Sequence, residues 1–285
     1  MVTTSQEVVL ALGGGAARGW AHVGVVRWFL ERGISVKGVA GTSIGALVGA
    51  FLAAGNVEAL WSGLAPSRRR DLTRFFDVVI GGDGLFAGGR VVDFLRENLP
   101  VHDIAQLSIP FAAVAVDLNS GEEIVFKDGN LLDAVRASIS LPGVFTPLRK
   151  DGRVLVDGGL ANPLPVDVAR TLAPGVPVCA VDLNGHVPAS FFQLPQMAGQ
   201  TAASRWLSFR MNLRRWMRRR QLKTMLPVAT ASLVVIQQQL TAARLKISPP
   251  DIYLKPDLSD IELWDFHKAE AAMRIGYEAA RQITS

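Results

Sequence analysis

The chain has 285 residues, 49% of them apolar and only 19% charged, with a net charge of +5. That length and apolar share fit one large α/β domain and exclude a disordered chain, which cannot bury enough surface to offset its conformational entropy. The single cysteine excludes a disulfide framework or a cysteine-ligated metal site, and fits a reducing compartment.

The N-terminal MVTTSQEVVLAL lacks the basic n-region and long apolar h-region of a signal peptide, so a cytoplasmic protein is expected. Glu7 to Leu12 reads as a strand, followed by Gly13-Gly14-Gly15-Ala16-Ala17-Arg18-Gly19 and a helix expected over 16–32. Strand, glycine loop and helix also open a dinucleotide fold. Here G-x-G-x-x-G fails at Arg18, and the acidic ribose partner expected about 20 residues on is missing. The lysine of a phosphate loop is absent too, so no cofactor and no metal are expected. What remains is a run of backbone N–H groups at a helix N-terminus, which favours negative charge. In acyl transfer such donors hold the oxyanion. Arg18 has two readings, reinforcing such a hole or anchoring the loop.

Val36 to Ala40 is a second strand, and it runs into Gly41-Thr42-Ser43-Ile44-Gly45 and a helical segment over 44–54 closed by Gly55. This is the strand, sharp turn and helix of a G-x-S-x-G nucleophile elbow, with Gly41 and Gly45 keeping Cβ atoms away from the turn. Residues 38–57 carry no charge, which tempts a membrane-span reading. Gly41-Thr42-Ser43 interrupts that run, and a buried strand–turn–helix accounts for the composition better. Helices are expected next over 56–65 and 89–98. Strands over 110–117 and 122–127, joined through Asn119-Ser120-Gly121, form a hairpin that makes the sheet mixed. A helix follows over 130–138, then a strand over 153–156 that delivers Asp157 ahead of Gly158 and Gly159. Alone, Asp-Gly-Gly reads as a turn; opposite a serine elbow, Asp157 is the candidate base. A helix over 165–173 leads to a strand over 176–182, with Cys179 as a small core hydrophobe. Asp117 and Asp182 end strands, where loop capping is the default role.

The net charge hides an asymmetry. Between Asp182 and Asp251 there are ten basic and no acidic residues, leaving 20 basic against 25 acidic elsewhere. Arg205, Arg210, Arg214, Arg215, Arg218, Arg219, Arg220 and Lys223 interleave with Trp206, Phe209, Leu213, Trp216 and Met217 within a helix expected over 204–246, broken near Pro227. A basic helix with an apolar stripe reads as an element drawn to an anionic membrane surface, with Trp206, Arg214, Arg215, Trp216, Arg218 and Arg219 as the contact candidates. A docked helix with a solvated basic face is the other reading. No nucleic-acid motif accompanies the cluster, so nucleic acid is not an expected partner. A strand over 251–254 and a helix over 262–282 complete the chain. The four histidines are His22, in the first helix, His102, His186 and His267; in the order Ser…Asp…His, either of the last two would complete a triad.

Three blocks, GGGAARG at 13–19, GTSIG at 41–45 and DGGLANPLP at 157–165, resemble the patatin-like phospholipase family, in its bacterial, neuropathy-target-esterase-like branch. The segments from Arg136 to Pro142 and DFHKAEAAMRIGYEAA from Asp265 are also similar to the family, so the likeness covers roughly 7–184 and 250–282. It implies an α/β three-layer sandwich, a mostly parallel sheet with helices on both faces, as one domain over 1–285 with a basic helical insertion at about 187–248. It implies a Ser–Asp dyad without a catalytic histidine, Ser43 as nucleophile and Asp157 as base. The backbone of Gly13, Gly14 and Gly15 is then the oxyanion hole, with Arg18 nearby. The expected activity is acyl-lipid hydrolysis at the inner membrane face. The alternatives are a lipid-binding regulatory protein with little turnover and a histidine-using α/β-hydrolase.

Overall fold

In the computed structural model of this chain, the described residues are 7–60, 77, 83–184 and 231–284. The first strand, β1 (Glu7–Leu12), alternates its side chains between two apolar layers. Val8, Leu10 and Leu12 face one buried cluster and Val9 and Ala11 the other. A strand buried on both faces belongs to a sheet covered on both faces, which explains its unbroken apolar run.

A 3-10 turn (Ala16–Gly19) precedes α1 (Trp20–Glu31), so the helix expected from 16 begins four residues later. β2 (Ser35–Thr42) then leads to α2 (Ile44–Ala53), whose residues Gly45 to Ala53 are all buried. The uncharged run is therefore a core helix. Among the described residues no helix is long and apolar enough to cross a membrane. β3 (Gly84–Phe86) pairs with β6 (Gly143–Phe145) in a small sheet that the sequence pattern does not reveal. Between them lie α3 (Gly89–Asn98), the hairpin of β4 (Phe111–Asp117) and β5 (Glu123–Phe126), and α4 (Leu131–Ser138). β7 (Leu148–Lys150), β8 (Arg153–Asp157), the short α5 (Val166–Arg170) and β9 (Val178–Val181) follow. A helix over 231–247, here α6, precedes β10 (Ile252–Leu254), and the chain closes with α7 (Ala269–Arg281).

The large sheet has the order β10-β9-β1-β2-β4-β8-β7, with β5 also on β4. β10, β9, β1, β2 and β4 are parallel, while β5, β7 and β8 enter antiparallel pairings. β2 lies along β4 from Phe111 to Val114, and β8 takes over the same edge from Ala115 to Asp117, β5 holding the opposite edge. Two strands running in opposite directions thus abut end to end beside β4.

The main core lies between the sheet and α1, α2 and α7, around Trp28, Phe29, Phe51 and Phe111. Burying each such side chain contributes roughly 1.5–3 kcal/mol. α1 and α7 cross closely, because a Cβ on Gly24 or Gly276 would come within 1.9 or 2.0 Å of the partner backbone at Met273 or Ala21. Leu245 of α6 packs against the second cluster on the other face, beside α5.

Candidate active site

Thr42 ends β2 and Ile44 begins α2, so Ser43 alone makes the turn, at φ 58 and ψ −126. A positive φ is unfavourable for a residue with a Cβ, at a cost on the order of 1–3 kcal/mol, and persists only where the surroundings impose it. Here they do. The Ser43 N–H donates to Ser138 Oγ at 2.9 Å, and the Thr42 hydroxyl donates to the Asn162 carbonyl at 2.8 Å. The flanking glycines allow the close approach, since a Cβ at Gly41 would stand 2.4 Å from Ala46 N and one at Gly45 2.1 Å from Leu12 O.

Asp157 ends β8 opposite Ala115, while Thr42 ends β2 opposite Val114, the preceding residue of β4. The abutting strand ends bring the Ser43 hydroxyl into hydrogen bonding with the Asp157 carboxylate. Asp157 is 1% exposed, and its Oδ1 accepts the Gly159 N–H at 2.8 Å. Burial pushes its pKa up to about 6, against the lowering effect of the bonds from Ser43 and Gly159. The group is ionised at neutral pH and is a stronger base than an exposed aspartate.

The glycine loop lies against the elbow, with the Cβ direction of Gly14 meeting Ser43 Cβ at 3.4 Å. Its donors are not equivalent. Gly13 N–H is spent on the Val181 carbonyl at 3.1 Å and Gly14 N–H on the Pro163 carbonyl at 3.0 Å. Gly15 and Ala16 N–H have no acceptor among the described residues, and Ala16 is held at φ 47. Of the three glycines expected to form the oxyanion hole, Gly15 therefore keeps an N–H with no acceptor among the described residues, as does Ala16, whose positive φ an alanine gives no sign of in the sequence. Arg18 is held by carbonyls of two distant segments. It is fully buried, its Nε donating to Ile261 O at 2.8 Å and its Nη1 to Leu183 O at 3.3 Å, so it anchors the loop through carbonyls.

The histidines lie elsewhere. His22 is sealed in α1 with Nε2 2.7 Å from Gly13 O, and burial lowers its pKa to about 4. It is neutral and donates to that carbonyl. His102 is exposed beside the Arg96 carbonyl, and His267 stands 3.8 Å from Asp265. None of these three is bonded to Ser43 or Asp157. His186 and the surface candidates Trp206, Arg214, Arg215, Trp216, Arg218 and Arg219 lie outside the described residues, as does most of the expected helix over 204–246. Asp117 and Asp182 cap loops as expected, Asp182 accepting from Asn184 N–H at 2.9 Å and the Tyr253 hydroxyl at 2.6 Å. Ser138, Asn162, Asn184 and Gln237 also surround the site. Ser138 and Asn162 lie in the segments 136–142 and 157–165 already singled out in the sequence, whereas Asn184 and Gln237 are brought there only by chain reversal and docking, with no local pattern to mark them.

The family described as patatin-like phospholipase matches residues 10–170. The chain is 40% identical over 183 residues to an NTE family protein of Mycobacterium tuberculosis, covering 64% of this chain and 51% of that protein. It thus spans about half the length of that relative. It is 31% identical over 290 residues to patatin-like phospholipase domain-containing protein 7 of Rattus norvegicus, covering 97% of this chain and 20% of the other. Among solved structures, VipD from Legionella pneumophila is similar with a TM-score of 0.51 at 14% identity, covering 99% of this chain and 67% of that one. That likeness concerns the fold alone, an α/β sandwich with a mostly parallel central sheet. With more than half its length matched by the family, this chain belongs to the patatin-like phospholipases.

Proposed function

We propose that the protein is a serine lipid acyl hydrolase in which Ser43 is the nucleophile and Asp157 the general base. The observation that carries this reading is the pairing of a strained, glycine-flanked serine with a buried aspartate whose pKa is raised to about 6. Asp157 takes the Ser43 proton as Oγ attacks the ester carbonyl, then returns it to the departing alcohol. Water, deprotonated by the same carboxylate, releases the acid and regenerates the serine. Gly15 and Ala16 N–H, together with the N-terminus of α2, face the negative charge that develops on the carbonyl oxygen. A base near pKa 6 is mostly ionised at pH 7 while keeping useful proton affinity, which suits both halves of the cycle. No described histidine is bonded to Ser43, which favours the dyad over a histidine triad.

The substrate class we infer is an acyl ester of a lipid, phospholipid or lysophospholipid. The basic, aromatic-interleaved stretch over 205–223 supports work at an anionic membrane surface on the cytoplasmic side. A panel of phospholipids, lysophospholipids and glycerides, assayed with wild type and Ser43→Ala, tests the proposal. Fatty-acid release that is lost in a folded Ser43→Ala protein is the expected result. Lipid binding without release by wild type would make the protein a regulatory binder, and undiminished release by Ser43→Ala would remove the nucleophile.

A further inference from the structure

The Gly14–Gly15 peptide carries one of the two glycine-loop donors, Gly15 and Ala16 N–H, that have no acceptor among the described residues, and glycine on both sides leaves its plane free to rotate. The preceding Gly13–Gly14 peptide is held at both ends, by His22 on its carbonyl and by Pro163 on its N–H. The Gly14–Gly15 peptide is held at one end only. Asn184, just past β9, donates Nδ2 to Gly14 O at 3.2 Å. The Gly14–Gly15 peptide bond is trans, so holding the carbonyl toward Asn184 directs Gly15 N–H to the opposite side.

Asn184 is itself held in place. It is 4% exposed, and its second Nδ2 hydrogen goes to Gln237 Oε1 at 3.1 Å. Its N–H is capped by Asp182, and its carbonyl accepts from Gln238 Nε2. The orientation of its amide is fixed by chemistry, because the reversed rotamer would set Oδ1 against the Gly14 carbonyl oxygen. Gln237, on α6, is also buried, and its Nε2 lies over Gly159, where a Cβ would come within 2.3 Å of it. Gly159 N–H is the donor to Asp157 Oδ1. Two turns along α6, Arg244 donates to Ala161 O at 2.9 Å and to the carboxylates of Asp167 and Glu123, which in turn hold Asn162.

We propose that Asn184 and Gln237 form an amide bridge that positions the Gly14–Gly15 peptide for oxyanion donation and ties it to the loop carrying Asp157. Both are positioning residues, acting through the glycine loop and through Gly159. A purely structural filling of this volume would call for apolar side chains, whereas here a buried amide keeps its Oδ1 without a partner among the described residues. Gripping a backbone carbonyl from one chosen side needs a directional donor, which the Asn184 amide supplies. The inference rests on Ser43 as nucleophile and on Gly15 as an oxyanion donor.

The test uses the full chain, a soluble short-chain ester, and an alkyl trifluoromethyl ketone whose serine adduct carries an oxyanion. Asn184→Asp replaces the donor with a carboxylate that repels Gly14 O. Gln237→Leu removes the acceptor that holds Asn184. Asn184→Asp is expected to lower kcat about 10²-fold with KM within about threefold, and to weaken the ketone in parallel. Gln237→Leu is expected to do the same more mildly, by about tenfold. If Asn184→Asp does not fold, Gln237→Leu carries the test by the same criteria. Folded variants with unchanged kcat, or with a raised KM and undiminished ketone affinity, would overturn the proposal. Ser43→Ala, run alongside, separates the two levels: activity surviving in that variant sinks the nucleophile, whereas activity lost there but kept in the bridge variants sinks only the bridge.

Discussion

His22 and Asp157 are both sealed from solvent, and burial holds each toward its neutral form, His22 down to about 4 and Asp157 up to about 6. Their effects on stability have opposite signs. Below pH 6.5 the unfolded chain protonates His22 first, so the fold loses stability as pH falls from there to about 4. Asp157 takes its proton first in the native state, so its burial cost, complete above pH 6, is relieved as pH falls toward 3.8. Each displacement corresponds to about 3 kcal/mol, and the two largely offset between pH 6 and 4.

Removing one of the pair exposes the other. Asp157→Asn keeps the shape and the acceptor for Gly159 but has no charge to desolvate, so at pH 8 it is expected to be more stable than wild type, by up to about 3 kcal/mol. On acidification to pH 5 it should lose stability more steeply, because the His22 contribution is no longer offset. Denaturant midpoints of both proteins at pH 8 and 5 check this. A wild type that is the more stable at pH 8 contradicts the assigned cost of burying Asp157.

The same carboxylate sets the pH dependence of turnover. With Asp157 as base, kcat/KM on a soluble ester should be level above pH 6 and fall tenfold per unit below it. Asp157→Asn should reduce the rate by about 10²–10⁴-fold, while single substitutions of His102, His186 or His267 leave most of it. A folded histidine variant as inactive as Asp157→Asn would replace the dyad with a triad.

Backbone strain at Ser43 gives a second stability test. With φ at 58, Ser43→Gly should relieve strain that Ser43→Ala retains, making the glycine variant more stable by about 1 kcal/mol. Both should lose hydrolysis and labelling by a fluorophosphonate. Melting curves of the two variants, with labelling followed by mass spectrometry, supply both readouts.

Gly14 offers a change that the fold tolerates and the chemistry does not. Its added Cβ meets only Ser43 Cβ at 3.4 Å and Thr42 O at 3.8 Å, ordinary contact distances, and its φ is not in the left-handed region. Gly14→Ala should therefore fold normally but crowd the carbonyl under attack, lowering kcat about 10²-fold. If only KM rises, the loop serves to bind substrate.

For the basic stretch, changing Arg214, Arg215, Arg218 and Arg219 together to Gln should weaken sedimentation with anionic vesicles, at about 1 kcal/mol per charge. Hydrolysis of a soluble ester should survive, since Ser43 and Asp157 are untouched. Raised salt should mimic the variant on vesicles. Equal sedimentation at low salt decides for a merely solvated basic face.

Sequence by itself determined the elements whose identity is local. The apolar run of β1, the uncharged segment that became α2, the hairpin through Asn119-Ser120-Gly121 and the glycine-flanked Ser43 were all legible, because strand burial, helix composition and turn chemistry are written over a few neighbouring residues. The small strands Gly84–Phe86 and Gly143–Phe145 were not, since each has three residues and exists only by pairing with the other. Tertiary structure alone decided that β2 and β8 meet end to end along β4, which brings residues 43 and 157 together. It also decided which loop donors remain available. Gly13, Gly14 and Gly15 are chemically identical in sequence, yet Val181 and Pro163 claim the first two N–H groups, and Asn184 grips the carbonyl that orients the third. Hydrogen-bond availability depends on which distant carbonyls fold against a loop, and no local pattern encodes that.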